Sequence, residues 1–290
     1  MTDSPAANPN PAKSLTIGVF DSGFGGLTVL RALLPLIPHA HYLFLGDTAR
    51  LPYGSKSRET VARYAVSSAK FLHDQGADLL VIACNTATAL ALPDIQQALP
   101  IPVIGVVEPG AQAALATSSS PGSNTPDGPN NVLVLATQAT VQSHAYTHAL
   151  NALGLEASEK ACPLLVPLVE EGWTNHPVTD EVLKIYLTEA LAAAPATQTL
   201  LLGCTHYPLI EPAIHRTLDS IGHPLTVIDS ADATARATAA LVANHFPNLT
   251  PTTQPSCTFY ATDSIEKFQR LGSNFLGQPV TKVNLVDLGG

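Results

Sequence analysis

A chain of 290 residues is long enough for one large domain or two modest ones, each with its own core. It is 46% hydrophobic and only 13% charged, which is the balance of a globular protein and not of a disordered one. Its 14 basic and 23 acidic residues leave a net charge of −9 with no basic block, which argues against nucleic acid or an anionic membrane as a partner, and no apolar stretch approaches the roughly 20 residues a bilayer span needs.

The first thirteen residues, MTDSPAANPNPAK, read as a disordered tail with neither a basic nor an apolar signal region. The expected location is therefore cytoplasmic, with Cys84, Cys162, Cys204 and Cys257 as reduced thiols. None of the four forms a CxxC pair, so no metal site is expected. A first strand is predicted over 15–20, followed by Asp21-Ser22-Gly23-Phe24-Gly25-Gly26 and a helical run from Leu27. Glycines before a helix permit tight turns and close approach of an anionic ligand. A dinucleotide site competes here, with Asp47 after the second strand (41–45) as the ribose-binding acid. GxGxxG starting at Gly23 would require glycine at position 28, which is Thr28.

The polar loop from Asp47 to Ser57 precedes a predicted helix over 57–76. Ser57 is placed to cap it, Val61, Tyr64, Ala65 and Leu72 have helical spacing, and Gly76 closes it. Further strands are predicted over 78–83, 102–106, 131–135, 199–202 and 224–228. Alternation of strands and helices implies an α/β fold with mainly parallel sheets. Glu108-Pro109-Gly110 is the expected crossing between domains, and 117–131, TSSSPGSNTPDGPNN, an exposed loop. Thr137, Thr140 and Ser143 lie where a strand passes into a helix and suit either caps or ligand contacts. His144 and His148 stand four apart on that helix without an HExxH pattern, which favours a solvated face over a metal.

LLVIACNTA (79–87) and LLLGCTHYP (200–208) share one plan: an apolar run, a cysteine, then a polar turn containing threonine. In open α/β sheets ligands gather beyond the carboxyl ends of the strands. A nucleophilic cysteine would need one thiol and a base. Two thiols facing a ligand from opposite sides suit removal of a proton from one face and delivery of a proton to the other, with thiol and thiolate exchanging roles.

The ordered set IGVFDSGFGGLTVL, GDTARLPYGSKS, ACNTATA, GVVEPG, VPLVEEG and LLGCTHYPLI resembles the glutamate racemases of the aspartate/glutamate racemase family. The resemblance covers nearly everything after residue 14 and implies two pseudo-symmetric α/β domains, 14–107 plus 223–290 and 108–222, with the active site between them. It implies cofactor-independent interconversion of L- and D-glutamate, supplying D-glutamate for peptidoglycan, in a homodimer. The implied catalytic residues are Cys84 and Cys204, assisted by Asp21 and His206 respectively, with Glu170 as a further acid of the site. Substrate contacts are implied at Asp21, Ser22, Tyr53, Gly54, Asn85, Thr86, Thr205 and His206. Thr88 stands where the family often has serine. An aspartate racemase of the same fold is the nearest alternative. No lysine stands in a pyridoxal phosphate motif, so the carbanion would be stabilised by preorganised donors around the α-carboxylate.

Overall fold

The computed structural model describes residues 14–118, 131–247 and 255–289. The expected tail, 1–13, lies outside the described residues, as does 119–130 of the expected loop.

Two sheets carry the fold, and every strand pair in them is parallel. The first half of the chain alternates strand and helix: β1 (Thr16–Asp21), α1 (Leu27–Leu36), β2 (His41–Gly46), α2 (Arg58–Asp74), β3 (Leu79–Ile82), α3 (Asn85–Ala98), β4 (Val103–Gly105) and α4 (Val107–Ser118). The second series follows with β5 (Asn131–Ala136), α5 (Gln138–Ser143), α6 (Ala145–Ala152), β6 (Glu156–Ala161), α7 (Leu165–Glu170), α8 (Pro177–Ala193), β7 (Thr197–Gly203), α9 (Glu211–Ser220), β8 (Thr226–Asp229) and α10 (Ser230–His245). The chain then returns to the first sheet through β9 (Ser256–Ala261), α11 (Ile265–Leu276) and β10 (Val283–Leu285).

The first sheet has the order β10-β9-β2-β1-β3-β4 and the second β6-β5-β7-β8. Adding four to each label turns β2-β1-β3-β4 into β6-β5-β7-β8, so the two sheets share one winding. The likeness between the Cys84 and Cys204 segments is therefore topological, because β3 and β7 occupy the same place in their sheets. The second sheet runs on to Asp229, since β8 pairs with β7 from Thr199↔Thr226 to Leu202↔Asp229. The strand thus falls beyond the expected boundary at 222.

Strands covered on both faces must be apolar throughout. Accordingly Leu79, Leu80, Val81 and Ile82 of β3 are all fully buried, as are Leu200, Leu201 and Leu202 of β7. One apolar core runs from Ile17, Val19, Phe44 and Val81 on the first sheet to Leu133, Leu135, Leu200 and Leu202 on the second. Separate clusters cover the opposite faces, with α2 and α3 over the first sheet and α4 and α6 over the second. The predicted helix over 57–76 is α2: the Ser57 hydroxyl accepts from the Thr60 amide, and Gly76 has φ +99°.

Three strands escape the apolar-run criterion. β6, EASEKA, is a polar strand at a sheet edge, β10 is a three-residue edge strand, and β9, SCTFYA, alternates polar and apolar positions. Glu108-Pro109-Gly110 forms the first turn of α4, which follows β4 of the first sheet and packs over the second. Proline is tolerated there because the first helical N–H groups have no intrahelical partner. Thr88 has a structural task. Its hydroxyl donates to the Ile82 carbonyl and accepts from the Val106 amide, and its methyl lies against Gly105, where an added Cβ would come within 2.3 Å of it.

Candidate active site

The carboxyl ends of β1, β3, β5 and β7 open onto one cavity of about 400 Å³. Ser22, Tyr53, Gly54, Cys84, Asn85 and Thr86 line it from the first sheet's loops, and Glu170, Cys204, Thr205 and His206 from the second sheet's side. Of the site residues expected from sequence, only Asp21 is absent from the wall; it is buried behind Ser22 and Cys84. A larger groove of about 900 Å³ lies between α4, α6 and α10, walled by small apolar residues with Glu108, Asp229, Asp232 and Arg236, and no thiol lines it.

Cys84 ends the β3 segment and caps α3, its sulfur accepting from the Ala87 amide at 3.4 Å. The thiol in turn donates to the Ser22 hydroxyl at 3.4 Å. A helix N-terminus favours negative charge on a capping sulfur. Burial and the neighbouring Asp21 carboxylate outweigh that preference and push the thiol up to about 12. Asp21 accepts from the Gly23 amide at 2.9 Å through Oδ2, while its buried Oδ1 has no partner among the described residues. Burial raises the Asp21 carboxyl above its ordinary value, and the His206 charge with the Gly23 and Gly26 amides offsets this only in part. A neutral thiol beside a carboxyl with raised proton affinity is a pair able to hold and exchange one proton.

The other thiol has a different partner set. Cys204 Sγ lies 3.9 Å from His206 Nδ1, and His206 Nε2 lies 3.3 Å from Glu170 Oε1. Lys267 Nζ donates to Glu170 Oε2 at 3.0 Å. Burial opposes charge on the imidazole, yet the contacts with Cys204 and Glu170 prevail and raise it to about 10. The Glu170 carboxyl is itself half-buried, which would raise it, but His206 and Lys267 hold it below its ordinary value. Phe275 packs edge-on against the ring, with centroids 5.0 Å apart. A charged imidazole beside the sulfur can supply a proton or stabilise negative charge there.

Gly25 sets the distance between the Asp21-Gly26 loop and this relay. A Cβ there would stand 2.2 Å from Thr205 Oγ1 and 2.7 Å from His206 Nδ1. Gly25→Ala is therefore expected to lower kcat at least about tenfold while costing only about 1–3 kcal/mol of stability. Steady-state kinetics beside urea unfolding check both parts, and unchanged kcat would refute the close-approach argument.

The polar wall completes the cavity. Asn85 Oδ1 accepts from the buried Tyr146 hydroxyl, and its Nδ2 has no partner among the described residues. The Thr86 hydroxyl lies 2.9 Å from that of Thr137 and 3.1 Å from that of Thr140, tying the start of α3 to the start of α5. Thr137 also caps α5, so it is both cap and cavity wall. Asp47, the rival ribose acid, is occupied internally: its oxygens accept from Arg50, Tyr53 and Thr262. His144 bonds Glu159, and among the described residues no group of three or more His, Cys, Asp or Glu could hold a metal.

Sequence reasoning missed Tyr146, Lys267 and Phe275 as neighbours of the site. It also missed that Cys162 lines the same cavity, with its thiol pushed up to about 12 by burial. No local pattern distinguishes these residues; only packing brings them to the cysteines.

Residues 27–238 match the family model for Asp/Glu/hydantoin racemase. The chain belongs to that family. Relatives make the placement closer. The glutamate racemase of Koribacter versatilis (strain Ellin345) is 51% identical over 296 residues, covering 94% of this chain and 98% of its own. A structure of the Francisella tularensis glutamate racemase in complex with D-glutamate superposes with a TM-score of 0.83 at 35% identity, over 95% of this chain and 98% of that one. The Thermus thermophilus enzyme in complex with beta-chloro-D-alanine gives 0.82 at 41% identity, over 95% and 98%. This racemase therefore has the α/β architecture of two parallel sheets seen in its solved relatives. Among its described residues no helix is long and apolar enough to cross a membrane.

Proposed function

We propose that the chain is a cofactor-independent glutamate racemase in which Cys84 and Cys204 act as paired acid and base on opposite faces of the α-carbon. The observation that carries the reading is the convergence of two buried thiols, from equivalent strands of two like sheets, on one cavity. In this reading Cys204 takes the α-proton of L-glutamate while Cys84 delivers a proton to the other face, and the roles reverse for D-glutamate. Asp21 exchanges the proton of Cys84, and His206 that of Cys204.

The α-proton of an amino acid is far less acidic than a thiol, so the developing carbanion requires stabilisation. Candidate donors are the unpartnered Asn85 amide, the Ser22, Thr86 and Thr205 hydroxyls, and the amides at the start of α3. Removing water from the cavity strengthens each of them. Tyr53 and Gly54 line the same wall and are assigned to substrate contact with them. The names of the relatives support glutamate over aspartate as substrate. Supply of D-glutamate to peptidoglycan from the cytoplasm is the physiological part of this proposal.

Incubation in D₂O without added cofactor, with L-glutamate and separately with L-aspartate, tests it. Exchange of the α-hydrogen together with loss of optical rotation is expected for glutamate. No exchange with either amino acid would sink the racemase reading, and exchange with aspartate alone would move the specificity.

A further inference from the structure

The two thiols are backed unequally. Behind Cys84 stands Asp21, whose Oδ1 has no partner among the described residues. Behind Cys204 a chain of contacts continues through His206 and Glu170 to a cation, Lys267. That cation does not come from the second sheet's series of elements. Lys267 belongs to α11, which lies between β9 and β10, and both strands pair in the first sheet. Its ammonium is also held 5.4 Å from the Phe24 ring centroid, in the loop that follows β1. The same helix contributes Phe275, which packs on the His206 ring. One helix anchored to the first sheet thus holds both far members of the second thiol's relay.

We propose that Lys267 is a positioning residue for the Cys204 half of the reaction: it fixes Glu170, and through Glu170 the His206 ring, at the second thiol. This rests on the two-thiol reading above. Without the ammonium, Glu170 loses one of its two partners, and the imidazole loses the fixed carboxylate that orients it. A charge-assisted hydrogen bond is stronger and more directional than a neutral one, so its loss is felt at the far end of the relay. Cys84 has no such contact with Lys267; its partner Asp21 senses the relay only through charge, so its own proton transfer is affected less.

Isotope effects locate the damage, whereas rates cannot. L- and D-glutamate have equal free energy, so kcat/KM falls equally in both directions whatever its cause. Deuterium at the α-carbon of L-glutamate reports the Cys204 transfer, and deuterium on D-glutamate reports the Cys84 transfer. Lys267→Met is expected to lower kcat about tenfold with little change in KM. The primary isotope effect on kcat/KM should rise with α-deuterated L-glutamate and fall toward unity with the D-enantiomer. Lys267→Arg, which keeps the charge, should restore both values and the rate. Isotope effects in the Met variant that equal those of the unmodified enzyme, or that move together, overturn the proposal even if the rate drops. Failure of the unmodified enzyme to exchange α-hydrogen would instead reject the racemase reading itself.

Discussion

Cys84→Ser and Cys204→Ser are each expected to lower racemisation of glutamate by about 10³-fold or more. A serine hydroxyl fits the volume of either thiol but is several pK units less acid, so it neither gives up nor returns the α-proton at a useful rate. Both side chains are almost fully buried, at 5% and 6% exposure. The change to serine is small in volume, so the fold should survive the loss of activity. Cys162 supplies the control, because it lines the same cavity and is equally buried. Its sulfur lies against the Lys160 carbonyl at 3.5 Å, and neither Asp21 nor His206 is its partner. Cys162→Ser should therefore keep activity within a few-fold of the unmodified enzyme, as should Cys257→Ser. Polarimetry on all four purified variants decides the matter. Near-normal racemisation by the Cys204 variant would end the paired-thiol account.

His206→Gln is expected to cost about 10²-fold in kcat and to change the shape of the pH profile. The imidazole carries its proton up to about pH 10 because its contacts with Cys204 and Glu170 overcome burial. The charged form is thus present through neutral pH, and activity with L-glutamate should fall as pH rises through about 10. Glutamine keeps hydrogen-bonding capacity but cannot titrate, so the variant should lack that limb. Stability follows the same proton. The unfolded histidine titrates near its ordinary 6.5, so between there and about 10 the native state binds a proton that the unfolded state does not. The stabilisation is complete below 6.5 and is lost as pH rises toward about 10. Urea midpoints at pH 6 and pH 9 should therefore drop more for the unmodified protein than for His206→Gln. Equal drops would show that the relay does not hold this proton.

The order of motifs and the two matching cysteine turns were legible in the sequence because each rests on local requirements. A buried parallel strand must be apolar along its length, a ligand-facing turn must break that run, and a helix start needs a capping side chain. Those needs are met within about ten residues, as at Leu79–Ile82, Cys84 and α3. They were enough to indicate an α/β fold with parallel sheets, and to single out Cys84 and Cys204, which the structure brings to one cavity. They were not enough to find β6, whose edge position relaxes the demand for apolar residues, or to end the second sheet at Asp229.

Tertiary structure alone supplied the distances behind each thiol and brought Lys267 and Phe275 to the second one. The resemblance implied that Asp21 assists Cys84; the physical ground for it is that β1 and β3 are neighbours in the first sheet. Glu170 reaches His206 across 36 residues, and Lys267 reaches Glu170 across 97. Nothing in KFQ or VEE signals those pairings, because a lysine paired only with water and a half-exposed lysine paired with a relay carboxylate have the same local sequence. Asp47 makes the same point in reverse: its spacing suited a ribose, and its packing gives it to Arg50, Tyr53 and Thr262. By itself the sequence determined which side chains could do chemistry. Packing determined which of them stand close enough to exchange a proton, since that depends on distances of 3–4 Å between residues far apart along the chain.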